Sequence, residues 1–281
     1  MKFTAHNILL SNGERTIPGE AVLLSESALW TSIEKTLDLF LPADREERGR
    51  MRVADLGCLE GGYAVEFAKL GFQTLGIEAR QDNLDKCNFV KSDLQLSNLE
   101  FVKDDVRQVE NYGQFDIVLC YGLLYHLNDP VSFIHTLNRV TKKLLLLSTH
   151  YAPFHDVRYS LGFINNYFLA PLQKRTHFLE RTKNYRLSAI TQHEGYPGRW
   201  FREWSATAGK KKIETLLWSS YNNDRSFWLT KKALTTALAD AGFPHVFEQF
   251  DYTGNGVDEN YAEYFNRGMF VCLKEAKPGG E

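Results

Sequence analysis

One strand running through a glycine turn into a helix limits this chain more than any other feature. Val53-Ala54-Asp55-Leu56 is a short apolar run, Gly57-Cys58-Leu59-Glu60-Gly61-Gly62 is glycine-rich, and Tyr63 opens a stretch of helical spacing. Glycines let a backbone approach a ligand closely and aim helix N-terminal amides at a polar or anionic group. The turn also begins a regular alternation: strand 52–56, helix 61–70, strand 73–78, helix 81–91, strands 99–102 and 115–120, helix 130–140 and strand 143–149. Right-handed crossovers put helices on both faces of a parallel sheet, so the alternation predicts an α/β chain with a doubly wound, mostly parallel sheet. Its ligand site is expected at the carboxyl ends of the strands.

The flanks are less regular. Leu23, Leu24, Leu29, Trp30, Ile33, Leu37 and Leu41 recur at helical spacing, which predicts a covering helix within 21–41. After Ser148 the alternation stops, and 150–225 combines aromatics, arginines and three prolines with no period. It resumes with a helix from Thr230 to Ala241, then strands near 245–252 and 267–274 joined by Gly254-Asn255-Gly256, read as a closing antiparallel pair. The expected organisation is a covering segment over 1–50, a core over 51–150 and 226–275, and an inserted helical or irregular cap over 151–225.

Composition sets the class. The chain has 281 residues, 43% hydrophobic and 24% charged, which excludes disordered and collagenous readings. No apolar run approaches the roughly 18 residues of a membrane helix, so no membrane partner and a cytoplasmic location are expected. Cys58, Cys87, Cys120 and Cys272 are scattered, without zinc or disulfide spacing. The net charge of -2 is uneven: 151–225 holds 12 Lys/Arg against 6 Asp/Glu, inside an otherwise acidic chain. Such a patch suits an acidic ligand or a nucleic acid.

The glycine turn lacks the Gly-x-Gly-x-x-Gly of dinucleotide sites and carries Asp55 two residues before Gly57. It resembles motif I of class I S-adenosylmethionine (SAM)-dependent methyltransferases, Asp/Glu-x-Gly-x-Gly-x-Gly, with Leu59 at the middle glycine. Three further stations carry the resemblance: Glu78 ending Leu75-Gly76-Ile77-Glu78, Asp105 and Val106 in Lys103-Asp104-Asp105-Val106, and Phe115–Pro130 with its His-Leu-x-Asp-Pro lead. The resemblance implies a Rossmann-like fold with SAM as cofactor. It assigns cofactor contacts to Asp55, Gly57, Cys58, Gly61, Gly62, Glu78, Asp105, Val106, Cys120 and Tyr121, with Glu78 on the ribose hydroxyls and Asp105 on the adenine amine. By overall likeness the chain is similar to bacterial small-molecule, glycoside or sugar, O-methyltransferases. Asp224–Thr230, followed by Ala233-Leu234 and Ala241-Gly242-Phe243, is also similar to a segment of several small-molecule and tRNA-modifying members, and fits the helix before the closing strand pair.

Methyl transfer to a hydroxyl calls for a base or a cation near the acceptor. His150 ends the fifth strand, with His155 and Asp156 close behind. His150 is the expected base; alternatively His150, His155 and Asp156 could hold Mg2+. Tyr125, His126, Arg158, His193, Arg199, Trp200, Arg202 and Tyr221 are candidate acceptor contacts, since arginine forks bind carboxylates and aromatic faces stack on sugars. The expected acceptor is a small acidic sugar or glycoside, such as glucosylglycerate. Alternatives are a tRNA wobble base, a natural-product N- or O-methyl acceptor, or a SAM-binding regulator, and a homo-oligomer stays open.

Overall fold

The computed structural model describes residues 1–153, 187–204, 209, 213–217, 219–250 and 266–274. Its main sheet has seven strands, numbered in chain order: β1 Arg52–Leu56, β2 Gln73–Glu78, β3 Leu99–Lys103, β4 Phe115–Tyr121, β5 Thr141–His150, β9 His245–Gln249 and β10 Arg267–Leu273. The order is β3-β2-β1-β4-β5-β10-β9. The first five strands pair in parallel, while β10 runs antiparallel to both β5 and β9. The sheet is therefore doubly wound and ends in the antiparallel pair expected from its polar loop.

Successive residues of each central strand feed opposite faces, as the pleat requires. Val53, Ile117, Leu119, Leu144 and Leu146 face helix α1 (Ala28–Phe40) and helix α3 (Gly62–Lys69), where Trp30, Ile33, Leu37 and Phe67 are buried. Ala54, Leu56, Val118, Cys120, Leu145 and Leu147 face helix α5 (Pro130–Val140) and helix α6 (Lys231–Asp240). Each fully buried Leu, Ile or Phe contributes about 2 kcal/mol, so both faces are needed to hold the sheet. Helix α4 (Gln81–Leu94) follows β2, and a short helix α2 (Arg45–Gly49) precedes β1.

Two expectations change. The covering helix starts at Ala28, because the Ser27 hydroxyl accepts from Trp30 N at 3.2 Å and caps it; Leu24–Glu26 forms a separate 3-10 turn. The described part of the cap holds strands where neither helix nor strand period was seen. β6 (Thr191–His193), β7 (Tyr196–Arg202) and β8 (Arg225–Leu229) form a second, antiparallel sheet. The segment over 224–230 is thus an extended strand paired with β7, with Thr230 capping α6. β8 ties the small sheet to the body: Phe227 N donates to Leu127 O, and Trp228 Nε1 to Tyr125 O. Among the described residues, no helix is long and apolar enough to cross a membrane.

Candidate active site

A cavity of about 720 Å³ opens at the carboxyl ends of β1, β2, β4 and β5. Its floor is the turn after β1. Gly57, at φ +69°, donates its N–H to Ile77 O, and a Cβ there would come within 3.3 Å of Leu123 Cδ1. Leu59 sits at φ +54°, in the left-handed region that a glycine adopts without cost. Its N–H donates to Glu78 Oε2 at 3.0 Å. The turn keeps the backbone shape of a glycine turn although a leucine occupies that position.

Helix α3 starts with backbone N–H groups that need outside acceptors. Asp55 Oδ2 accepts from Ala64 N at 3.1 Å, and His6 Nδ1 accepts from Gly62 N at 2.9 Å. His6 comes from the amino-terminal segment, which Glu60 locks down by accepting from Thr4 N, Ala5 N and His6 N, with Lys86 Nζ beside it at 3.2 Å. Ala5 and His6 consequently line the cavity. Burial pushes His6 down to about 4, so it is neutral and accepting. Burial pushes Asp55 up to about 7, opposed by the Ala64 N–H and aided by the charge of Glu78.

Glu78 ends β2 and is buried, with Oε1 accepting from Arg80 N and Oε2 from Leu59 N. Each carboxylate oxygen retains a lone pair for a ligand hydroxyl. Burial raises its pKa, opposed by the Arg80 N–H and guanidinium. Asp105 caps the turn after β3 and is bridged to Arg107 and to Asn222 Nδ2 at 2.8 Å. With Leu217, Ser219, Ser220 and Tyr221, Asn222 roofs this end of the cavity.

Of the residues singled out in the sequence, Asp55, Gly57, Cys58, Glu78, Asp105, Val106, Tyr121, Tyr125, His126, His150 and Tyr221 line the cavity. Others do not. Gly61 makes the αL entry to α3, Gly62 is taken by His6, and Cys120 is buried inside β4. His193 packs on Trp200 and Phe227 and bonds Asn128 O. Trp200 stacks under Arg225, and Arg202 is exposed on the outer side of β7. Arg199 is buried, but its guanidinium is turned to the carbonyls of Pro153 and Ser188. These residues therefore do not form the arginine clamp that the sequence suggested. His155, Asp156 and Arg158 lie outside the described residues. Among the described residues, Arg80, Arg107 and Arg267 are the cations lining the cavity, and no group of three His, Cys, Asp or Glu forms a metal site.

The side of the cavity around Tyr125 is only half visible in the sequence. His150 lies flat on Trp228, with centroids 5.0 Å apart and planes at 8°, and edge-on to Tyr125; Nδ1 is 3.3 Å from Asn266 O. On the other side of Tyr125, His126 Nδ1 meets Glu203 Oε1 at 2.9 Å. No signal in the sequence marks Glu203: Arg199, Phe201 and Glu203 are buried while Arg202 is exposed, an alternation that the residue types do not show.

The family described as "Methyltransferase domain" matches residues 47–196, over half the chain. The chain belongs to the methyltransferase-domain family. It is 31% identical over 93 residues to the ubiquinone biosynthesis O-methyltransferase of Acinetobacter baylyi, covering 32% of this chain and 39% of that protein. It is 27% identical over 126 residues to the tRNA U34 carboxymethyltransferase of Campylobacter lari, covering 43% and 42%. The matches thus span about two fifths of these relatives. Among solved structures, the N-terminal domain of EvdMO1, determined with SAH and D-fucose, superposes with a TM-score of 0.63 at 21% identity, over 97% of this chain and 91% of that one. That likeness is one of fold, the Rossmann-like fold of methyltransferases.

Proposed function

We propose that this chain transfers a methyl group from SAM to a hydroxyl of a small polar acceptor. The observation that carries the reading is the single cavity that has Asp55, Gly57 and Glu78 on its floor and His126, His150 and Glu203 on its acceptor side. Glu78 would take the ribose hydroxyls, Asp105 and Val106 the adenine, and Asp55 would balance the positive end of SAM. SAM brings an electrophilic methyl, so the protein's share is to align the acceptor and exclude water. Residues 51–150 and 226–275 serve as the cofactor-binding body, under the cover of 1–50 and the cap of 151–225.

A hydroxyl acceptor agrees with the O-methyltransferase among the relatives and with D-fucose in the EvdMO1 structure. An acidic acceptor is less supported, because the cap arginines that are described turn away from the cavity; Arg267, whose Nε donates to Ser148 Oγ, is the better partner for a carboxylate. A tRNA acceptor is the second reading, favoured by the Campylobacter relative and the basic stretch 151–225. A Mg2+ role would rest on His150 with His155 and Asp156, and loss of turnover on EDTA treatment would reveal it. The test is transfer of labelled methyl from SAM to catechol, D-fucose, glucosylglycerate and bulk tRNA. Label in one of the first three supports the reading; label in tRNA alone replaces it with the second, and label in none of the four contradicts it.

A further inference from the structure

We infer that His126 and Glu203 form a base and its positioning residue, with His126 Nε2 removing the acceptor proton; this deepens the methyltransferase reading and rests on it. The His126 side chain lines the cavity and is 16% exposed, whereas that of Glu203 is 2% exposed. A buried carboxylate is costly unless it is hydrogen-bonded. Glu203 has three partners: His126 Nδ1 at 2.9 Å and Ser226 Oγ at 2.8 Å, both on Oε1, and Ser220 N at 3.2 Å on Oε2. As a carboxylate, Glu203 only accepts, so Ser226 Oγ, Ser220 N and Nδ1 of His126 all donate to it, and Nδ1 carries the ring proton. That tautomer leaves Nε2 as the bare, basic nitrogen, and among the described residues nothing hydrogen-bonds it.

The ring is also held in place. Asn223 Nδ2 donates to His126 O, and Tyr125 packs on the imidazole with centroids 4.2 Å apart. Glu203 follows β7 and Ser226 lies in β8, which pairs with β7, while His126 comes from the segment after β4, so the orienting group is held by the small sheet. In the reaction the acceptor O–H proton passes to Nε2. The oxygen lone pair forms the new bond to the methyl carbon, and the sulfur–methyl bond breaks with its electron pair returning to sulfur, leaving neutral SAH. The imidazolium is stabilised by Glu203 until the proton leaves to solvent. His150, flat against Trp228 across Tyr125, then serves as a wall of the acceptor pocket.

The test uses the full chain with His126→Gln and Glu203→Gln, and has three readouts: SAH binding by calorimetry, the histidine ring-nitrogen NMR spectrum, and labelled methyl transfer to the four probes above. The wild type is expected to show His126 as the Nδ1–H tautomer, its signals assigned by their loss in His126→Gln. Glu203→Gln should perturb that tautomer and lower kcat while leaving KM for SAM unchanged. His126→Gln should bind SAH normally and lose about 100-fold or more in turnover. An Nε2–H tautomer in the wild type, or full turnover by His126→Gln, overturns the base assignment alone. Absence of SAH binding by the wild type overturns the SAM reading and the base with it. Where none of the four probes is methylated, the methyl-transfer reading fails and the base assignment fails with it.

Discussion

The two halves of the cavity are built by opposite means. On the side proposed for the cofactor, Asp55, Gly57, Leu59 and Glu78 sit within one strand–turn–helix–strand unit, and backbone amides in and just after that unit hold the carboxylates. On the acceptor side, His126 reaches Glu203 across 77 residues, and His150 rests on Trp228 and meets the carbonyl of Asn266. A site made of local backbone geometry leaves a pattern in the sequence, because glycines and acids must fall at set spacings. A site made of side chains converging from distant segments leaves none, since any pair of elements could be the one that meets.

The amino-terminal segment is where that contrast blurs, and the largest expected effect tests it. Glu60 belongs to the glycine turn but reaches back to three amides of residues 4–6 and to Lys86. Removing one partner of such a buried set typically costs 3–5 kcal/mol. Glu60→Ala should therefore lower stability by about 4 kcal/mol in urea unfolding and weaken SAH binding. A loss of under about 1 kcal/mol would show that the segment is not part of the cofactor side.

The next effect is one of pH, and the two buried groups have opposite signs. His6 falls from 6.5 to about 4 on folding, so the unfolded chain binds the extra proton and stability is lost as pH drops from 6.5 towards 4. Asp55 rises from 3.8 to about 7, so its contribution is present at low pH and is lost as pH rises from 3.8 towards 7. Each amounts to roughly 3–4 kcal/mol across its window, and in the wild type they largely cancel. Asp55→Asn should expose the His6 slope, stability falling on acidification; His6→Gln should expose the opposite slope. Parallel curves for both variants would contradict the assignment. Because SAM is cationic at sulfur, its binding favours ionised Asp55. SAH, which lacks that charge, should consequently show the weaker loss of affinity when the pH is lowered below about 7.

The smallest effect concerns Leu59. Its left-handed backbone costs about 1–2 kcal/mol relative to glycine, partly offset by the unfolded-state entropy a glycine adds. Leu59→Gly should leave stability within about 1 kcal/mol of the wild type, with SAH affinity retained. A loss of SAH binding would mean that the side chain, rather than the turn, contacts the cofactor.

The order of strands and helices could be read almost completely from the sequence because hydrophobic period, glycine turns and Pro130 at the start of α5 all agree. The start of α1 is hidden because the apolar spacing runs back through Leu23 and Leu24, before the Ser27 cap that begins the helix. β7 and β8 are hidden in the sequence because Arg199 and Ser226 are buried within them beside Phe201, Phe227 and Trp228, so polar residues held in hydrogen bonds break the apolar alternation. Arginines placed in the cap by sequence looked like ligand contacts, whereas Arg199 is spent on backbone carbonyls. Only the fold distinguishes an arginine that faces a cavity from one that staples a loop.

The account stands on the division between a cofactor side and an acceptor side of one cavity, and titration calorimetry with SAH tests it most directly. The wild type should bind one SAH per chain. Glu78→Ala should weaken that binding about 100-fold, since the two charge-assisted bonds proposed to the ribose would be worth about 3 kcal/mol together, while His126→Gln should match the wild type within about twofold. Equal binding by Glu78→Ala and the wild type, or a matching loss in His126→Gln, would contradict it.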